Sequence, residues 1–310
     1  MQYRRLGRTG LRVSAVALGT VEIGLDYGIP SGDHRLPSAA QATALLHRAL
    51  DLGVNLIDTA PAYGESERRI GAALAGRRSE YLIATKIANP PDDLCGDRLR
   101  AWVEALLAAS LRALRTDRID LLQIHSATLE TIRRGELTAI LVKLRDAGFV
   151  RAIGATTYGV EAARAALDDG RYDALQVAYS PLDRRLEHGV LPALCDEGVG
   201  VIVRSVLLKG ALTQRAEHLP EALSELRRAV GRLADIAAKA QLTLPALAYR
   251  YVLAHPAVST ALVGTSRIEE LEEICQQAEA GGLPPEVRDA VRTVRLDDDR
   301  LLDPSQWPML

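Results

Sequence analysis

Asp58, Tyr63, Lys86 and His125 are residues whose types and spacing can do chemistry together. Asp58 closes a short apolar run, Val54 to Ile57, and Tyr63 follows in the next loop. A strand-like run that stops on a carboxylate is costly to bury unless the charge is paired. Lys86 ends the next such run, Tyr81-Leu-Ile-Ala-Thr-Lys86, and is the partner we expect; a third run, Ile119 to Ile124, delivers His125. A phenol titrates near pH ~10, and a neighbouring ammonium lowers that value. Lys86, held by Asp58, would tune Tyr63 as a general acid, while His125 orients a carbonyl oxygen. No side chain supplies a hydride, so this set would reduce a carbonyl only beside a nicotinamide cofactor. Taken one at a time, a barrel ion pair, a core histidine and a loop tyrosine would explain these residues equally well. Their ordered arrival at successive strand ends is what points to catalysis.

The elements that must position them alternate regularly. Residues 3–14 read as a hairpin turning at Gly10, expected to cap one end of the fold. Strand-like runs follow at 15–18, 54–57, 81–85, 119–124, 150–153, 174–178, 199–203 and 258–263. Between them lie helical patterns: one capped by Ser38, one from Ser66, then 98–115, 136–147, 160–168, 190–196, 221–254 broken at Leu244-Pro245, and 268–278. Gly53, Gly76, Gly148, Gly170 and Gly198 suit helix C-terminal caps. This alternation predicts an α/β fold, a single-domain (β/α)8 TIM barrel over residues 1–310, with the site at the C-terminal rim. A doubly wound sheet lacks its Gly-rich fingerprint after the first strand. From Pro284 a short helix and a tail carrying Trp307 are expected near the barrel mouth.

The formal net charge of -2, with both signs interspersed, gives no reason to expect nucleic acid or a membrane surface as partner. No run reaches the ~20 apolar residues of a membrane helix, and no secretory signal is legible, so a cytoplasmic location is expected. Cys95, Cys195 and Cys275 have neither metal nor disulfide spacing. Cys195 and Cys275 fall in helical patterns and read as small buried thiols.

Asp58-Thr-Ala-Pro-Ala-Tyr-Gly64, then a strand-ending Lys86 and a strand-ending His125, resembles the catalytic tetrad of the aldo-keto reductases. Tyr3-Arg-Arg-Leu-Gly-Arg-Thr-Gly-Leu-Arg-Val-Ser14, Leu18-Gly-Thr20 and Val263-Gly-Thr-Ser-Arg267 carry the resemblance across nearly the whole chain. It implies an NAD(P)H-dependent oxidoreductase interconverting an aldehyde, ketone or sugar carbonyl with its alcohol. It also implies cofactor contacts from Gly19, Thr20, Asp58, Thr156, Thr157, Gln176, Arg204 and the loop Ser205, Leu207, Lys209, Gly210. Gly264, Thr265, Ser266 and Arg267, opening a helix, would take a ribose 2′-phosphate; NADP(H) is therefore favoured, with NAD(H) left open.

The chain departs from the family at several points. Thr156-Thr157 replaces Ser-Asn; near the adenine, where the resemblance places Glu270, Glu273 and Ile274 at the cofactor, Ile274 replaces an Asn after Glu273, and Glu270 stands where some members have Arg, so that an acid there would repel a 2′-phosphate. Arg204 replaces a stacking aromatic. It could bias the cofactor toward its reduced form, receive an anionic group on the substrate, or pair with an acid and face away. Substrate choice is expected from loops 22–37, 126–135 and 183–188 and from the tail. Asp26, Tyr27, Asp33 and His34 in the first loop would suit a polar substrate such as a sugar, and a large apolar aldehyde also remains open. A non-catalytic cofactor-sensing subunit and a Schiff-base lyase using Lys86 are the competing readings, and monomer and homo-oligomer are both compatible with the chain.

Overall fold

The computed structural model describes residues 1–30 and 36–308, so Asp33 and His34 lie outside the described residues. Eight parallel strands close into a barrel: β3 (Val16–Gly19), β4 (Leu56–Asp58), β5 (Leu82–Ile87), β6 (Ile119–Ala127), β7 (Val150–Thr157), β8 (Ala174–Ala178), β9 (Gly200–Arg204) and β10 (Thr260–Gly264). They neighbour one another in chain order, and β10 closes the ring on β3. Both faces are covered, which is why the strands read as continuous apolar runs instead of alternating with polar residues.

Alternation decides what each face carries. Val16, Leu18, Ile57, Ile83, Leu122, Ile153, Leu175 and Val201 join the core shared with the surrounding helices. Ala17, Leu56, Ala84, Leu121, Ala152, Ala174, Ile202 and Leu262, one from each strand, instead form a second cluster in the barrel lumen. Leu6, Leu11 and Val13 complete that cluster. They belong to the hairpin of β1 (Tyr3–Arg5) and β2 (Arg12–Ser14), which pair antiparallel around Gly10 (φ 74°). The hairpin therefore plugs the N-terminal opening. The Arg8 amide donates to Gly198 O at 2.6 Å.

The helices are α1 (Ala39–Asp51), α2 (Ser66–Ala73), α3 (Gly96–Leu114), α4 (Leu129–Arg134), α5 (Glu136–Asp146), α6 (Gly159–Asp169), α7 (Val190–Asp196), α8 (Ser224–Lys239), α9 (Leu244–Leu253), α10 (Ile268–Glu279) and α11 (Pro285–Thr293). Ser38 caps α1 as expected, with Gln41 completing a capping box. Several expectations need correction. Residues 126–135 are not loop throughout: Thr128 caps α4. Gly76 caps no helix and does not take the left-handed conformation; α2 ends at Ala73, Leu74 is its C-cap, and a 3-10 turn follows. Arg115, at φ 52°, ends α3 without a glycine. Cys195 is exposed, and of the cysteines only Cys275 is buried. β5, β6 and β7 run past their predicted ends, so Lys86, His125, Thr156 and Thr157 lie inside strands. Beyond α11, Trp307 is buried and donates to Leu301 O at 3.1 Å. Asp303 of this tail is near enough to Arg204 to feel its charge, which brings the tail to the barrel mouth. No helix among the described residues is long and apolar enough to cross a membrane.

Candidate active site

Moving two residues along each strand from the apolar lumen layer reaches the next inward-facing layer. That step leads from Leu56 to Asp58, Ala84 to Lys86, Leu121 to Gln123 and Ala174 to Gln176. It also leads from Ile202 to Arg204, Ala17 to Gly19 and Leu262 to Gly264. The strand register sets their heights: Gly19 pairs with both Asp58 and Gly264, Lys86 with Gln123, and Thr156 with Gln176. A polar ring thus sits on an apolar plug at the C-terminal end.

Lys86 Nζ lies 2.6 Å from Asp58 Oδ1 and donates to Thr59 O at 2.9 Å, with the Lys86 side chain 1% exposed. Asp58 Oδ2 accepts from Gln176 Nε2 at 2.8 Å and from Gln123 Nε2 at 3.1 Å. The carboxylate is therefore fully occupied. Burial alone would strip Lys86 of its proton, but Asp58 and Tyr63 outweigh it and hold the ammonium above its usual range. The same ammonium lies 4.8 Å from the centre of the Tyr63 ring, and that ring meets His125 edge-on at 5.6 Å. Burial pushes the Tyr63 phenol up, and Lys86 offsets this only in part. The expected lowering by Lys86 is thus present but loses to desolvation, so Tyr63 carries its proton at neutral pH. His125 is pushed down to about 4, by burial first and then by Lys86, and is neutral. The arrangement offers one protonated phenol, one neutral imidazole and a fixed ammonium.

Sequence reasoning missed Gln123, although its place two residues before His125 on one strand face signals it. It also missed Asn89, whose Nδ2 donates to His125 O at 2.8 Å and to Ser126 O at 3.0 Å. Glu22 was missed as a site residue as well. It is buried, with Oε2 unpartnered, and burial lifts its carboxyl to about 7.

The residues expected at the cofactor divide. Thr20 is wholly buried, and its hydroxyl donates to Asp58 O at 2.8 Å and accepts from Ser66, so it fastens β3 to β4. Thr156 Oγ1 accepts from the Ser126 amide. Thr157 Oγ1 is buried without a partner. Arg204 does not face away to an acid. Its Nη2 donates to Thr157 O at 3.0 Å, its Nη1 to Ser205 Oγ at 3.1 Å, and its guanidinium stacks 3.9 Å from the Tyr158 ring centre. Its charge lowers both Tyr63 and His125. Ser205, Lys209 and Gly210 all take positive φ, while Leu207 O accepts from the Gly210 and Leu212 amides. The segment is therefore a tight loop with its own internal bonding. Thr265, Arg267 and Glu270 engage one another, while Ser266 is half-buried beside them. Ile274, expected at the adenine, is instead packed in the core, because its face of α10 is the apolar one. Glu273 accepts from Thr243. Gly19 and Gly264, which carry no side chain, leave the rim open beside Gln176, whose Nε2 is held by Asp58, and this fits a flat, amide-bearing nicotinamide.

A parallel barrel carrying this cluster on its C-terminal rim has the construction of a barrel oxidoreductase. The Aldo/keto reductase family profile matches residues 15–295. L-galactose dehydrogenase of Arabidopsis thaliana is 31% identical over 291 residues, spanning 88% of this chain and 86% of that one. The NADH-specific methylglyoxal reductase of Escherichia coli (strain K12) is 30% identical over 301 residues, spanning 86% and 90%. A solved aldo-keto reductase from Bacillus halodurans, in its holo form, is similar at a TM-score of 0.80 and 28% identity, covering 96% of this chain and 97% of that one. The chain belongs to the aldo-keto reductase family and is an NAD(P)H-dependent oxidoreductase of small molecules.

Proposed function

We propose that this enzyme interconverts an aldehyde, ketone or sugar carbonyl with its alcohol, with Tyr63 as general acid and base. The observation that carries the reading is the Asp58–Lys86 pair beneath the Tyr63 ring, with neutral His125 at its edge. A bound nicotinamide supplies or accepts the hydride. Gln176 and Arg204 would hold that group, and the Gly264–Arg267 segment would hold the phosphate-bearing end of the same cofactor. His125 donates a hydrogen bond that orients the carbonyl oxygen, and Tyr63 gives that oxygen its proton as negative charge develops there. Lys86 stabilises the phenolate left behind, and Asp58, fixed by Gln123 and Gln176, keeps Lys86 charged. Arg204 adds a second cation, which disfavours an oxidised, positively charged ring nearby and so favours the reduced cofactor.

Because burial raises the phenol, the direction that needs phenolate as base, alcohol oxidation, should accelerate with rising pH up to and beyond pH ~10, whereas carbonyl reduction should not. A Schiff-base role for Lys86 is disfavoured, since an ammonium held by Asp58 is no nucleophile. A cofactor-sensing role without catalysis would have no use for the tuned phenol.

The test is Tyr63→Phe with cofactor binding followed by tryptophan fluorescence. We expect turnover to fall about 10²–10⁴-fold with nucleotide affinity retained. Unchanged turnover would remove Tyr63 from the chemistry and return the cofactor-sensing reading.

A further inference from the structure

Outside the active site, one cavity gathers more positive charge than it neutralises. It measures about 340 Å³, within the range of small-molecule pockets. Three segments distant in sequence line it: the loop between β8 and α7, the end of α11 and the tail. Each brings arginine. Arg184 and Arg185 come from the loop, Arg292 from α11 and Arg295 from the start of the tail. The carboxylates on the same walls are Glu187 and Asp299, and His188 adds an imidazole. Asp58, Tyr63, Lys86, His125 and Arg204 all lie outside this lining.

The bonding shows which charges remain unspent. Arg292 gives Nη2 to Glu187 at 2.6 Å, while its Nε has no acceptor. Arg185 is held by Asp183 through two bonds of 2.8 Å and lies 3.7 Å from Asp299. Arg184 donates only to the carbonyl oxygens of Pro181, Arg292 and Val294, which fix its position and leave its charge whole. Arg295 is exposed, and among the described residues its guanidinium has neither a hydrogen bond nor an ion pair. Four guanidiniums thus outnumber the carboxylates even with Asp183 counted, and two of them, Arg184 and Arg295, have no carboxylate partner.

We propose that this cavity is an effector site for a phosphate-bearing small molecule, which fastens the C-terminal tail at the barrel mouth. A phosphate monoester carries close to two negative charges, and its oxygens accept from several guanidiniums at once. Leu182, Leu296 and Leu302 give the cavity an apolar wall for the carbon part. Asp299 and Leu302 belong to the 3-10 turn Asp299–Leu302, and the next residue, Asp303, feels the charge of Arg204. An anion joining the loop, α11 and the tail therefore ties down the segment beside Arg204. The inference goes beyond the carbonyl chemistry and holds whatever the substrate.

The experiment is calorimetric titration of inorganic phosphate, and separately of glycerol phosphate, at an ionic strength held constant with chloride. The protein is first saturated with whichever of NAD⁺ and NADP⁺ it binds, so that the cofactor's own contacts are filled. The wild type shows one saturable site. Arg295→Glu weakens it by about tenfold or more, the loss expected for a charge-assisted hydrogen bond, and leaves the fold intact because Arg295 has no partner to abandon. Arg112→Glu on α3 leaves the affinity unchanged. In a Trp102→Phe background Trp307 is the sole tryptophan; phosphate lowers its quenching by acrylamide, and Arg295→Glu cancels that effect. Tighter binding of glycerol phosphate assigns the site to an organic phosphate, and equal binding to the free ion. Absence of saturable binding overturns the inference, as does equal affinity in wild type and Arg295→Glu, or an equal loss in Arg112→Glu. Binding that leaves Trp307 quenching unchanged overturns the role of the tail.

Discussion

Lys86 and Asp58 each satisfy a charge that the barrel interior would otherwise reject, so they cannot be removed one at a time without consequence. Lys86→Met should leave Asp58 buried with two amides and no cation, destabilising the fold by about 3–5 kcal/mol. Asp58→Asn together with Lys86→Met should recover most of that stability while turnover stays lost. Denaturant midpoints measured alongside kcat check both statements; a double variant as unstable as the single one would mean that the pair contributes to folding beyond mutual neutralisation. At this scale the sequence was informative where a polar residue interrupted an apolar run, as at Asp58, Lys86 and His125. It was silent where the polar residue looked ordinary. Gln123 lies inside an apolar strand and Glu22 in a 3-10 turn after the first barrel strand, and only the closed ring reveals that they face inward or are sealed from water. The balance acting on Tyr63 was also beyond reach, since the loss of solvation that outweighs Lys86 depends on what the fold packs around the ring.

The elements place these groups through a few close approaches. A side chain on Gly24 would fall on the Tyr63 carbonyl oxygen and come within 2.7 Å of Ser66 Cβ. One on Gly200 would come within 2.7 Å of Leu6 Cδ1 and 2.8 Å of Leu6 C. Gly24→Ala should therefore displace the loop that carries Tyr63 and lower kcat by ten- to a hundredfold, on the order expected when a catalytic group moves by about 1 Å. Gly200→Ala should instead loosen the hairpin and cost about 1–3 kcal/mol of stability, with kcat unchanged at temperatures where the protein stays folded. Thermal melts and steady-state rates of the two variants separate these outcomes; equal effects of both on kcat would contradict the division between rim and plug. Element order and type were legible because strand and helix periodicities alternate so regularly. The strand ends were not. Gly154 to Thr157 lacks any strong pattern, and what extends β7 is hydrogen bonding to β6 and β8. The helix α4 was hidden because its burial amounts to Ile132 alone.

For the molecule as a whole, two buried groups give stability opposite slopes with pH. His125, folded at about 4 against an unfolded value near ~6.5, binds its proton more readily when unfolded, so stability falls as pH drops from 6.5 toward 4. Glu22, folded at about 7 against ~4.5, keeps its proton longer when folded, so its contribution is present below 4.5 and is lost as pH rises through 7. The two slopes oppose each other across the shared interval. Glu22→Gln should expose the His125 slope, giving stability that rises with pH between 4 and 6.5; His125→Gln should expose the reverse. Melting temperatures across pH 4–8 test this, and parallel profiles for the two variants would refute it.

The ring closure has a consequence for how the chain reaches this state during synthesis. β3 lies between β4 and β10, and Leu6 meets Gly200, so strands near the start of the chain find their last partners only near its end. Until residues 260–264 leave the ribosome, β3 and β9 each present a bare strand edge, the kind of surface that recruits stray strands. A nascent chain halted before β10 thus holds the residues for its proton chemistry but no closed wall to hold them in place.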